Sequence, residues 1–394
     1  MNRTKPIILS IIITLLVASV VFALLLNNQS NNRSTLSTLL SNDDFHASQV
    51  SDRQQIQDDI SNSRQTIITK TVKEVSPAVV GINVTEIRQY RDIFSQDPFF
   101  RQFFGDRVYS QQIRGLGSGA IISPDGYILT NDHVAGNAVE AVVTMTDGSQ
   151  HEAKIIGSDP ASDICLLKIE ADNLPYIKLG NSDEILIGEW VIALGNPFGL
   201  FDINDQPTVT VGVVSAKEMN LGSSENRYYV DMLQTDAAIN SGNSGGPLVN
   251  AYGELIGMNT LIFTAQGSTG NVGVGFAIPV NKIKRIVDEI KNNGKVDREF
   301  VTGLSIQTID PRIAKAYNLK SSQGVIITQV QKNSPADKAG LEVYDIILGI
   351  DNYKVTNETT LIGVLKEFRA GDVIDLKIQR DSDLLHKKMK LERR

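Results

Sequence analysis

Ser244 stands inside a run of small residues, Asn240-Ser241-Gly242-Asn243-Ser244-Gly245-Gly246-Pro247-Leu248. A serine hydroxyl is a weak nucleophile at neutral pH and needs a base to take its proton. Attack on a carbonyl also needs donors aimed at the developing oxyanion. Gly242 and Gly245 permit unusual backbone angles and close approach of a substrate. The N–H groups of Gly242, Asn243 and Ser244 are therefore candidates for an oxyanion hole. The same composition also suits an ordinary turn, and the histidines sharpen the choice. The chain has four. His46 lies in a polar segment and His386 in a Lys-rich terminal strand. His151, beside Asp147-Gly148, reads as a hairpin-edge residue. His133 follows an apolar run and a turn within 119–136 and is the better base.

Such a base needs a carboxylate to orient the ring and stabilise the imidazolium. Asp163 stands at the mouth of the apolar run Ile164–Ile169, where a carboxylate is buried only with partners. Asp132 and Asp236 are rivals. Neighbours in sequence rarely orient each other's side chains, and Asp236 reads as a turn cap. Gly242–Gly246 also fits the nucleophile elbow G-x-S-x-G. An elbow requires a helix after the serine and a later histidine. Here Pro247 and the strand-like Leu248-Val249 follow, and only His386 comes later.

The elements that must position these groups are short Val- and Ile-rich runs ended by Gly, Asn, Asp or Pro. They include 78–84, 141–145, 164–169, 190–194, 209–214 and 255–260. That texture predicts a β-barrel or sandwich. Helical periodicity is confined mainly to 67–75 and 280–292, the second with Asn281 as a plausible N-cap. Between Glu86 and Arg114 an insertion with five phenylalanines interrupts the strands. It reads as a local hydrophobic cluster or as a subunit contact. Cys165, the one cysteine, excludes an internal disulfide and reads as a small buried core residue.

The chain has 394 residues and a net charge of -7. The length suggests two or three domains. Mild acidity argues against nucleic acid as the main partner. Arg3 and Lys5 precede Ile7–Leu26, twenty residues without a charge. That length suits a membrane-crossing helix. Its bulky end offers no good cleavage site, so an uncleaved anchor is expected over a removed signal peptide. The flanking charges put the N-terminus in the cytoplasm and the rest in the periplasm. Residues 27–65 are rich in Asn, Ser, Gln and Asp and read as a linker. Residues 291–295 read as a hinge. Beyond it come Gly324–Ile327, Ser334–Leu341, Asp345–Asp351, a helix over 359–368 and a final strand pair.

Thr130–Val134, Ser162–Ile169 and Gly242–Leu248 resemble the His, Asp and Ser blocks of the HtrA (Deg) serine proteases. Residues 115–119, 190–200 and 273–279 add to the likeness, which extends from Thr66 nearly to the end. The resemblance implies a mainly β fold. A single transmembrane helix (1–26) and a polar linker (27–65) precede a chymotrypsin-like double β-barrel protease domain (66–293). One PDZ domain (298–390) follows. The implied catalytic residues are His133, Asp163 and Ser244, with Gly242, Asn243 and Ser244 as the oxyanion hole. Ile239, Asn240 and residues of 261–276 line the pocket for a small or medium aliphatic side chain. Thr302, Gly303, Leu304 and Ser305 hold a peptide's C-terminal carboxylate. No metal or cofactor is implied. The implied partners are protein substrates, C-termini of misfolded proteins, the inner membrane and two further copies in a homotrimer. The anchor and single PDZ domain resemble the DegS branch, which serves envelope stress signalling. The insertion resembles the degradative DegP and DegQ branches. Departures are Asp132 where the family often has Asn, Cys165 where it often has Ala, and Thr302 where it usually has an apolar residue.

Overall fold

The computed structural model describes residues 17–24, 64–91, 108–196, 199, 201, 205–240, 242–262, 272–317 and 322–393. The chain divides into two compact units, 1–66 and 67–394. In the first, residues 17–24 are helical, with Val17, Val20, Val21, Phe22 and Leu24 exposed. Among the described residues no helix is long and apolar enough to cross a membrane. Most of the expected span and linker, and His46, lie outside the described residues.

The second unit opens with helix Ile67–Val75 and then builds two closed six-stranded barrels. The first contains β1 (Val79–Arg91), β2 (Val108–Ile121), β3 (Tyr127–Thr130), β4 (Glu140–Thr144), β5 (Gln150–Asp159) and β6 (Ile164–Ile169), in the order β1-β2-β3-β6-β5-β4. Closure removes exposed edges and turns alternate side chains into one core. Ile82, Ile121, Ile128, Leu129, Leu166 and Leu167 are fully buried there. Cys165 is buried with them, and burial pushes its thiol up to about 12, so it is an inert core residue. The second barrel contains β7 (Trp190–Gly195), β8 (Thr208–Met219), β11 (Met232–Thr235), β12 (Pro247–Asn250), β13 (Leu255–Ile262) and β14 (Gly275–Pro279). Between β8 and β11 a small hairpin, β9 (Gly222–Ser224) and β10 (Arg227–Tyr229), stands apart from both barrels.

Helix Val280–Asn293 follows the second barrel and packs on strands of both, β5 and β6 of the first and β13 and β14 of the second. Ile283, Ile286, Val287 and Ile290 join a core to which both barrels contribute. Its N-cap is Pro279, not Asn281, whose N–H donates to Ser182 Oγ (3.1 Å). The stretch expected to be a hinge is structured: the helix runs to Asn293, and Gly294 N–H returns to Ile290 O. The third sheet joins β15 (Leu304–Thr308), β16 (Val325–Val330), β17 (Ile346–Ile350), β19 (Val373–Arg380) and β20 (Asp383–Lys390), with β18 (Tyr353–Lys354) on β17. Helix Glu358–Leu365, capped by Asn357, completes its separate core. The strands around the phenylalanine-rich insertion also reach further than expected. β1 and β2 stay paired from Val79↔Ala120 out to Arg91↔Val108, because backbone pairing continues past the last buried positions. Only 92–107 lie outside the described residues.

Candidate active site

His133 sits on the single-turn helix Asp132–Ala135, directly after β3. Asp163 ends the 3₁₀ turn Pro160–Ser162 and precedes β6. Since β3 and β6 are hydrogen-bonded neighbours, with Thr130 opposite Cys165, the barrel itself brings the two residues together. The Asp163 carboxylate lies 2.8 and 3.0 Å from His133 Nδ1 and accepts the His133 backbone N–H at 2.9 Å. Asp163 is fully buried, while the imidazole side chain is 31% exposed. The turn that presents Asp163 is itself pinned. Asp159 accepts from Ser162 N–H, and Arg298 grips Asp159 (2.6 and 3.1 Å) and Ser162 Oγ (2.6 Å). Burial pushes the Asp159 carboxyl up, but the Arg298 contacts outweigh it and hold it below the usual carboxylate range.

The rival carboxylates do other work. Asp236 accepts from Val213 N–H at 2.7 Å. Asp132 is buried and turns away from the base toward Ser158 Oγ (2.5 Å) and Arg227 Nη2 (2.9 Å). Two histidines take surface roles. His151 lies opposite Val143 on β5, and His386 on β20 contacts Asp375 at 3.1 Å.

Ser244 belongs to the loop entering β12, on the second barrel, and the first barrel fastens that loop. Ser118 of β2 donates its N–H to Ser244 O (3.0 Å) and its hydroxyl to Gly242 O (2.5 Å). Gly245 has φ +84°, and a Cβ there would lie 2.2 Å from Ser118 O and 2.3 Å from Thr130 Oγ1. Only glycine fits. The Ser244 hydroxyl donates to Thr260 O at 3.3 Å, and no Ser244–His133 hydrogen bond is present among the described residues. Thr260 is tied back to the first barrel by Asn131 Nδ2 (3.1 Å).

Among the described residues, the amides of Gly242 and Ser244 have no acceptor. The Asn243 amide instead donates to Asn240 O (3.0 Å), so in this geometry it is not open to an oxyanion. Ile239 is 1% exposed and packs against Gly275, whereas Asn240 is exposed. Residues 263–271, part of the expected pocket wall, lie outside the described residues, as does Ser241. Sequence reasoning passed over Ser118, Thr260 and Arg227. Ser118 lies within the glycine-rich stretch 115–119 of the family likeness, but nothing local marks the other two.

In the third sheet, Gly303 has φ +75°, and a Cβ there would clash with Ser334. The Thr302 and Gly303 carbonyls accept from Ala336 and Gln331 N–H. Thr302 Oγ1 accepts from Leu304 N–H at 3.4 Å. β15, with Leu304 and Ser305, ends the sheet order and pairs only with β16 among the described strands.

Two barrels with a histidine–aspartate pair on one and a glycine-framed serine on the other define a chymotrypsin-like serine peptidase. Residues 117–258 match the trypsin-like peptidase domain family and residues 302–391 the PDZ domain family. A probable periplasmic serine endoprotease, DegP-like, of Ectopseudomonas mendocina (strain ymp) is 40% identical over 82% of this chain and 69% of its own. One of the same name from Chlamydia muridarum (strain MoPn / Nigg) is 39% identical over 86% and 70%. The solved HtrA-type protease AlgW with decapeptide covers 84% of this chain and 99% of its own (34% identity, TM-score 0.61). The chain belongs to the HtrA family and is a serine endopeptidase with one PDZ domain.

Proposed function

We propose that this chain is a membrane-anchored periplasmic endopeptidase in which Ser244 is the nucleophile, His133 the general base and Asp163 its orienting carboxylate. The observation that carries this reading is the buried Asp163 carboxylate on Nδ1 of His133, in a fold whose second barrel supplies a serine in a glycine frame. In the reaction, the Ser244 side chain rotates from Thr260 O to His133, a change between staggered rotamers. Oγ attacks the scissile carbonyl and its proton passes to Nε2. The N–H groups of Gly242 and Ser244 hold the oxyanion. The imidazolium then protonates the leaving amine, and water, deprotonated by His133, releases the acyl group. Ile239 and Asn240 border the substrate.

The PDZ loop Thr302–Ser305 binds the free C-terminus of an unfolded protein, which lies along the open edge of β15. A route for regulation supports this reading. Tyr228 of β10 and Val230 just after it pack against Gly363 of helix Glu358–Leu365. Lys282 Nζ meets Glu367 Oε1 (2.5 Å) and Val230 O (3.2 Å). The anchor reading rests on uncharged Ile7–Leu26 behind Arg3 and Lys5, with exposed apolar side chains along 17–24. The chain is read as a homotrimer, which the resemblance to the family suggests. The DegP-like names of the relatives favour a second reading, general degradation of damaged envelope proteins. Comparing cleaved envelope proteins in cells carrying the wild type or Ser244→Ala separates them: one or a few substrates indicate signalling, and many indicate clearance. Rescue by Ser244→Ala would make the chain a binding scaffold and overturn both.

A further inference from the structure

Arg227 is a buried cation in contact with Asp163, and the mechanism above does not use it. It is 8% exposed, at the start of β10 on the hairpin that belongs to neither barrel. Its Nε lies 3.2 Å from Asp163 Oδ1, the oxygen that also accepts the His133 backbone N–H. The Nε–H is not aligned for a hydrogen bond, so this contact is an ion pair. Nη2 donates to Asp132 Oδ2 at 2.9 Å, and Nη1 reaches exposed Glu225 at 3.0 Å. Asp132 in turn takes the Ser158 hydroxyl on its other oxygen. One guanidinium thus joins Asp132, which precedes the base, to Asp163, which orients it. Burial alone would weaken the Arg227 charge, but the Asp132 hydrogen bond and the Asp163 and Asp132 charges outweigh it. Tyr229, the other titratable group here, has its phenol pushed up by burial and by Asp163, so it stays neutral.

We propose that Arg227 is a positioning residue for the hydrolytic reaction, holding the Asp163 carboxylate on the His133 ring, with Asp132 as the strut that holds Arg227. This rests on the assignment of His133, Asp163 and Ser244 above. The geometry gives it two jobs. The ion pair holds Asp163 Oδ1, so the carboxylate keeps both contacts with Nδ1. The positive charge also offsets part of the Asp163 charge beside the His133 ring. Asp132, unusual beside the base, is thereby explained: it neutralises Arg227 rather than perturbing the imidazole.

The test is the pH profile of hydrolysis of an unfolded protein, fluorescein-labelled casein, by the full chain. The variants are Arg227→Gln, Arg227→Lys, Asp132→Asn and Ser244→Ala. Arg227→Gln is expected to lower the plateau rate about 10- to 100-fold, the scale of a misplaced catalytic group. It should also move the acid midpoint up by about 0.5–1 pH unit, as expected for one buried charge removed. Arg227→Lys keeps the charge without the fork, so its midpoint stays in place while its plateau falls. Asp132→Asn should cost rate alone but add little to Arg227→Gln, as partners in one network do. An unmoved midpoint in Arg227→Gln would overturn the proposal. So would a wild-type plateau in Arg227→Lys, which carries the test if the glutamine variant does not fold. Full activity in Ser244→Ala would instead sink the assignment of the nucleophile, and the proposal with it.

Discussion

The two barrels contribute unequally finished halves of the site proposed above. On the first, β3 and β6 are paired neighbours, and His133 and Asp163 meet with three short contacts. On the second, Ser244 is framed by Gly242 and Gly245, but its hydroxyl rests on Thr260 O and the Asn243 amide on Asn240 O. The acid–base half is fixed by a closed sheet. The nucleophile half is a loop whose side-chain rotamer and amide partners decide whether an oxyanion is held. Control of such an enzyme acts most economically on the loop, since shifting a few hydrogen bonds is cheaper than repacking a barrel.

Removing either half should be the largest effect. Ser244→Ala or His133→Ala is expected to reduce kcat/KM about 10⁶-fold, and Asp163→Asn about 10⁴-fold, with folding unchanged by circular dichroism. Wild-type activity in Ser244→Ala would break the comparison outright. The bond between the halves comes next. Ser118→Ala removes the donor to Gly242 O and the acceptor of Asn196 N–H. It should cost about 1–3 kcal/mol of stability, and lower the rate more than Thr130→Ser does. A variant as active and stable as wild type would show that the serine loop needs no staple from the first barrel.

The two halves should also differ in pH response. In the proposed mechanism His133 must be neutral to accept the Ser244 proton, so activity is expected to fall on the acid side. A flat profile to pH 4 would contradict this. The smallest effect concerns Asp231, just before β11. Burial outweighs the attraction of Lys282 and pushes its carboxyl up from 3.8 to about 6. The folded protein therefore binds this proton more tightly than the unfolded chain. Its ionisation costs stability fully above about pH 6 and not at all below the unfolded value. Asp231→Asn should raise Tm by about 2–4 °C at pH 7.5 for each kcal/mol recovered. The gain should shrink to the benefit of asparagine at φ 60° alone as pH falls to 4. A gain independent of pH would assign it wholly to the backbone.

Much of this was legible in the chain because its signals are local. Alternating Val/Ile runs with turn residues report a pleated core, and the His, Asp and Ser blocks each carry their own spacing. The insertion boundary was less legible, since pairing of β1 with β2 beyond the core leaves no apolar pattern. The helix cap at Pro279 was missed because Asn281 spends its polar groups on Ser182 and Asn181, a tertiary choice. Arg227 and Thr260 were invisible for the same reason. Each is defined by what lies across 95 or 129 positions of sequence, and neither sits in a motif.

The central assignment is tested most directly by reaction with a fluorophosphonate followed by peptide mass spectrometry. The expected result is a single adduct on Ser244, lost in His133→Ala and slowed in Asp163→Asn. An adduct on any other residue, or equal labelling after His133 is removed, would contradict it.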